Sequence, residues 1–155
     1  MIKRLVSLSL LGLACSGYTV AYAQVHSADV NIVFVRAEVA DDRFVCTTEI
    51  NNRNDDDSFD THVIVLLPLE VKIIDMTVLQ GPGSCKRSGP REEDHGYATC
   101  HLGQLPQGQD VRRTVTITTT KSAVAAHYPQ TCAAFIYGRV GDIEKINNYA
   151  TASAP

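Results

Sequence analysis

The sequence predicts an all-β sandwich, and three observations carry that expectation. Apolar and polar residues alternate with a period of two in run after run. Gly, Pro, Asn and Asp punctuate the runs at short intervals. No stretch shows convincing amphipathic helical spacing. The clearest segment is 97–120, two strand-like runs joined by a corner holding Pro106 and Gly108. Val111, Val115 and Ile117 share one parity there, and Arg112, Thr114, Thr116 and Thr118 the other. Cys100 and Leu102 take the inward parity of the shorter run.

In chain order, residues 29–39 read as a first strand, closed by a turn at Ala40, Asp41 and Asp42. Residues 43–51 form the second, with Phe44, Cys46, Thr48 and Ile50 on one face. A polar loop, 52–58, follows. Residues 61–67 are apolar enough for a strand buried on both faces and stop at Pro68. Another strand spans 71–79. Residues 80–96 are the longest irregular segment, and 121–130 hold a short helical turn around 123–126. Residues 131–140 place Cys132, Ala134, Ile136 and Val140 on one parity, and 147–154 close the chain.

The N-terminus begins with Lys3 and Arg4, continues through a short apolar core, and reaches a small-x-small ending at Ala21, Tyr22 and Ala23. That pattern predicts a secretory signal over 1–23, leaving 24–155 as a single domain. The apolar core is roughly half the ~20 residues a membrane span needs. Leu13-Ala14-Cys15 offers an alternative, lipidation at Cys15, although Gly12 sits where a larger aliphatic residue is usual. Membrane attachment is expected only in that case. A net charge of −3 without a basic cluster gives no footprint for nucleic acid. The absence of Trp and the presence of only two Met argue against a stacking platform or a Met-rich copper site.

Loss of Cys15 with the signal reduces five cysteines to Cys46, Cys85, Cys100 and Cys132. An even set in an exported chain points to two disulfides, with three possible connectivities. Cys46 faces inward on the second strand and Cys132 inward on the penultimate one. In an immunoglobulin-like sandwich those strands oppose each other across the core, so the expected pairs are Cys46–Cys132 and Cys85–Cys100. The fold class is thus an immunoglobulin-like Greek-key β-sandwich of about seven to eight strands with two disulfides.

A run of short motifs resembles one known family. Gly83-Ser84-Cys85, then Ala98-Thr99-Cys100-His101-Leu102-Gly103-Gln104-Leu105, Gly108 and Thr114-Val115-Thr116-Ile117-Thr118 occur in its order. The ending Asn147-Asn148-Tyr149-Ala150-Thr151-Ala152, the corner Glu49-Ile50-Asn51-Asn52 and the step Leu67-Pro68 agree with it. The chain is similar, over nearly all of 24–155, to the bacterial cell-surface repeat called "domain of unknown function eleven". The resemblance implies an immunoglobulin-like sandwich, often one of several copies in large adhesin-like surface proteins, and no catalytic residues. A single copy, the acidic loop, and Cys46 with Cys132 depart from the pattern.

Enzymatic signatures are missing. No Gly-x-Ser-x-Gly elbow occurs after residue 23, and no Ser stands in a recognisable pattern with His and a carboxylate. Cys85, His95, Cys100 and His101 make a poor zinc set, because alternation sends Cys100 and His101 to opposite faces. The five His residues offer no His-x-His pair for a dismutase, and Ala-Ala-Phe-Ile-Tyr-Gly after Cys132 lacks blue-copper ligands. Asp55, Asp56, Asp57 and Asp60 are the calcium candidates, yet the loop fails as an EF-hand at its glycine and final glutamate positions. A solvated acidic loop is the plainer reading, and no metal or other cofactor is expected. Lys86, Arg87, Arg91, Glu92, Glu93 and Asp94 form a mixed-charge, disulfide-stapled loop as a binding candidate. His62, Tyr137 and Arg139 read as ordinary sheet residues. The function expected is a non-enzymatic adhesion or protein-interaction module of the envelope, located in the periplasm, on the surface or outside the cell. Its partner would be an envelope or surface protein. The alternatives are a subunit that self-associates through edge strands, and a small periplasmic metal-binding protein or enzyme.

Overall fold

Two antiparallel sheets bury their apolar faces against each other. The computed structural model describes residues 27–54, 56–88, 96–123, 129–139, 142 and 145–155. The leader expected over 1–23, with Cys15, and most of the helical turn expected at 123–126 lie outside these residues. The strands are β1 (Val30–Ala40), β2 (Arg43–Asn52), β3 (Ser58–Leu66), β4 (Ile73–Leu79), β5 (Ser84–Ser88), β6 (Tyr97–Leu105), β7 (Gly108–Thr120), β8 (Gln130–Tyr137) and β9 (Tyr149–Ala154).

One sheet has the order β1-β2-β7-β4 and the other β5-β6-β3-β8-β9. β2 pairs with β7 in the first sheet, and β3 with β8 in the second. The chain crosses between sheets from β2 to β3 and from β7 to β8. These interlocked crossings make an immunoglobulin-like Greek-key sandwich. Phe44, Ile50, Val63, Val65, Leu102, Val115 and Ile117 lie fully buried between the sheets. Cys46 of β2 and Cys132 of β8 are bonded across them, with Cα atoms 6.3 Å apart. Cys85 and Cys100 are bonded within one sheet, at directly paired positions of β5 and β6.

The described residues hold nine strands, one more than the alternation counts, and the addition is β5. The segment 80–96 is therefore not all irregular. Ser-Cys-Lys-Arg-Ser has no β-branched residue to announce a strand. It pairs with β6 through backbone bonds and the cross-strand disulfide instead. β3 also departs from expectation. Its residues alternate, with Thr61, Val63 and Val65 buried and His62, Ile64 and Leu66 facing out, rather than being buried on both faces. In an antiparallel sandwich only the inner face of a sheet is covered.

β7 carries an unexpected inward residue, Arg113, which is only 7% exposed. It continues the inward series of Val115, Ile117 and Thr119, while Val111 is half-buried. The Arg113 guanidinium donates to the carbonyls of Gln80 and Arg112. It thereby clamps the corner through which β4 passes to β5. Gly81 in that corner has φ +143°, and a Cβ there would lie 2.2 Å from Cζ of Arg113. At the other end Asn52, fully buried, holds the loop after β2. Its amide donates to the carbonyls of Asp56 at 2.6 Å and Leu105 at 3.3 Å, and its oxygen accepts from the Asp29 amide at 3.2 Å.

Two stability outcomes follow. Replacing Cys46 and Cys132 by Ala should cost about 2–5 kcal/mol in urea unfolding, because the bond spans 86 residues of chain. Gly81→Ala should destabilise by about 1–3 kcal/mol, since it combines an unfavourable φ with a clash against a buried guanidinium. An unchanged unfolding midpoint for Gly81→Ala would contradict the packing of this corner.

Candidate functional site

The outer face of the five-stranded sheet carries the side chains with functional chemistry. Antiparallel register sets them in rows. The first row is Ser84, His101, His62 and Tyr137, contributed in turn by β5, β6, β3 and β8. The second is Lys86, Thr99, Ile64, Phe135 and Tyr149. The third runs through Tyr97, Leu66, Ala133 and Thr151. The first row, with Lys86 and Thr99 of the second and Asp60, surrounds an open cleft of about 540 Å³, to which Cys85 also contributes.

His62 and His101 face each other because they are direct partners on neighbouring strands. Their ring centroids are 4.7 Å apart. Tyr137 stacks on the other side of His62 at 5.1 Å, with the rings within 9° of parallel. Asp60 completes the group from an irregular stretch. β3 has an extra residue relative to β6 between Ser58 and Thr61, and β6 has one relative to β3 between His101 and Gly103. Gly103 at φ +66° and Asp60 at φ +53° absorb these bulges in left-handed conformations, which glycine adopts freely and Asp tolerates. Asp60 Oδ1 then lies 3.1 Å from Nε2 of His62 and 3.1 Å from Nε2 of His101.

The electrostatics follow from this geometry. Hydrogen bonding from His62 is the largest effect on Asp60 and lowers its carboxyl pKa below the ordinary 3.8. Desolvation opposes the shift, and the charge of His62 with the hydrogen bond and charge of His101 reinforces it. A depressed carboxylate pKa stabilises the fold above the ordinary value, and that contribution is lost as pH falls through the folded value. Nδ1 of His62 is buried and has no hydrogen-bond partner. Among the described residues, Asp60, His62 and His101 are the group whose metal-capable donors converge, all within 4.8 Å of one another.

The residues singled out from the sequence fall elsewhere or in part. Asp60 belongs to this cluster, but the other described members of the calcium set do not join it. Asp56 accepts from the Ser27 amide at 3.0 Å, and Asp57 accepts from the Gln107 amide at 2.8 Å and from the Gln104 side chain. Asp55 lies outside the described residues, as do Arg91, Glu92, Glu93, Asp94 and His95. Lys86 and Arg87 sit on strand β5 rather than in a loop, and Lys86 lines the cleft. All four described cysteines are consumed in disulfides, which leaves no thiol nucleophile among the described residues. No hydrogen bond joins Ser84 to His101. The sequence reading missed His62, His101 and Tyr137 as a group. The signal was their shared outward parity once Val63, Cys100 and Ile136 are placed in the core.

No protein-family model matches this chain, and no curated protein matches it. Solved structures of similar shape include ACE19, the collagen-binding subdomain of the Enterococcus faecalis surface protein ACE. It is 13% identical, with 77% of this chain and 93% of that one covered, at a TM-score of 0.46. A cohesin module from a Clostridium perfringens family 33 glycoside hydrolase is 13% identical, with 83% and 95% covered, at 0.45. AvmM, which catalyses macrocyclization in alchivemycin A biosynthesis, is 13% identical, with 82% and 85% covered, at 0.44. Likeness of this order transfers no function. The fold assignment rests on the sheets, register and bonds described above.

Carbon-detected titration of the Asp60 carboxyl should give a midpoint below 3.8 that returns toward 3.8 when His62 and His101 are both replaced by Ala. A wild-type midpoint at 3.8 would contradict the shared-carboxylate geometry.

Proposed function

We propose that this protein is an exported, disulfide-stabilised immunoglobulin-like module of the bacterial cell envelope that binds a protein partner. The supporting observation is the composition of the outer face of the five-stranded sheet. Leu66, Phe135, Tyr137 and Tyr149 are 41%, 39%, 46% and 50% exposed, and the register makes Phe135 and Tyr149 direct neighbours. Their ring centroids lie 4.6 Å apart. Aromatic side chains grouped beside polar ones are the composition that protein interfaces favour.

Two disulfides are consistent with export, because such bonds persist in oxidising compartments. Placement at the envelope extends that reading and draws on the leader-like N-terminus. The resemblance to the "domain of unknown function eleven" repeats forms part of the same proposal. On this reading the sandwich works without catalysis, as a rigid platform whose aromatic rows are held in place by the sheet before the partner arrives.

Photo-crosslinking in intact cells tests the face. A crosslinking residue in place of Tyr149 should capture a distinct envelope protein, and one in place of Ile74, exposed on β4 of the opposite sheet, should not. Equal capture at both positions would overturn the assignment of the face. Capture of a second copy of this chain through Tyr149 would replace the partner reading with self-association.

A further inference from the structure

We infer that Asp60, His62 and His101 form a binding site for a first-row divalent metal ion of the zinc class, with two imidazole nitrogens, one carboxylate and an open coordination position. This site is independent of the partner-binding reading. Donor chemistry is the first reason. Two imidazoles with a carboxylate suit Zn²⁺, Cu²⁺ or Ni²⁺, whereas Ca²⁺ and Mg²⁺ call for oxygen throughout. The same combination of two imidazoles, one carboxylate and a free position holds zinc in hydrolytic sites.

Distance is the second reason. Tetrahedral zinc with bonds of about 2.0–2.1 Å sets neighbouring donors roughly 3.3 Å apart. Asp60 Oδ1 already stands 3.1 Å from each Nε2. All three donors lie within 4.8 Å of one another, close enough for the side chains to draw in around one ion. The backbone supplies the third reason, since two donors come from opposed positions in one sheet and their separation is set by strand pairing rather than by loop conformation. Tyr137, stacked on His62, holds the plane of that ring, and within that plane Nε2 lies 3.1 Å from Asp60 Oδ1.

Metal binding exchanges one set of contacts for another. In the metal-free state each Nε2–H donates to Asp60 Oδ1. Coordination through Nε2 moves the imidazole proton to Nδ1. For the half-exposed His101 water can accept it. For His62 the buried Nδ1 has no protein acceptor, so the outer-shell bond that usually strengthens a histidine ligand is missing there. Loss of such a bond typically weakens a site about 10–100-fold, so binding weaker by that factor than at a site with both outer bonds in place is expected. The remaining coordination position faces the cleft. Lys86 on its wall favours an anionic group there, a carboxylate or a phosphate, beside the ion.

The test uses the natively exported, untagged chain with both disulfides intact, titrated with ZnCl₂ by calorimetry after chelator treatment. One ion per chain is the expected stoichiometry. His101→Ala should weaken binding at least tenfold, and Asp60→Asn, which keeps the shape of the side chain, should do the same. His95→Ala and His127→Ala should leave it unchanged. Nitrogen-15 spectra should show the ion on Nε2 of His62 and His101. Far-ultraviolet circular dichroism and intact mass confirm that each variant is folded and oxidised. If zinc fails to bind, or binds with the same affinity to Asp60→Asn and His101→Ala, the site does not exist. If affinity falls instead with His95→Ala or His127→Ala, the ligands are misassigned.

Discussion

The register of β3 within the five-stranded sheet is the constraint on which the rest depends. β3 lies between β6 and β8, and from Thr61 to Leu66 its residues alternate between core and outer face. The pairing that opposes Val63 to Cys100 and Ile136 fills the core. It also opposes His62 to His101 and Tyr137 on the outside. A slip of one residue would expose Val63 and Val65 and drive His62 into the interior. Burying those two valines is worth about 1.5–3 kcal/mol each, so hydrophobic burial holds the polar cluster in register at no separate cost. Core and site are two faces of one arrangement.

Other interactions guard the ends of that arrangement. The Cys46–Cys132 bond ties β2 to β8 across the core, and β8 carries Tyr137, Phe135 and their neighbours on the outer face. The Cys85–Cys100 bond secures the polar edge strand β5 one residue away from His101. Arg113 fixes the corner that delivers β5, through backbone carbonyls rather than a carboxylate partner. Asn52 organises the acidic loop by spending both amide groups on backbone atoms. These bonds tie the described residues of that loop to the ends of the neighbouring strands. Its Asp60 end is turned toward the histidines by paired bulges, so a local irregularity in the ladder gives the cluster its third member.

Much of this was legible in the sequence. Alternation located eight strands to within a few residues, and the inward parity of Cys46 and Cys132 marked two strands that face each other. The strand β5 was hidden because its five residues lack the β-branched character that announces strands, and its pairing comes from the partner strand. Arg113 was hidden by its neighbours, since a guanidinium on the inward parity is stable only beside the carbonyls of a corner that folding brings to it. The outer-face cluster was hidden by composition and distance. Val63-Ile64-Val65-Leu66-Leu67 reads as a continuous apolar run, which conceals the alternation that sends His62 outward. The opposition of His62 to His101 belongs to register between strands separated by two others in the chain. The left-handed turn at Asp60 is a backbone property that no residue pattern announces.

Interstrand proton–proton NOEs in the oxidised protein would test the shared register most directly. His62 should show backbone contacts to His101 on one side and Tyr137 on the other, with Val63 linked to Cys100 and Ile136. Direct pairing of Val63 with Thr99 or His101 instead would place β3 one residue out of step. The core assignment and the outer-face cluster would then fall together.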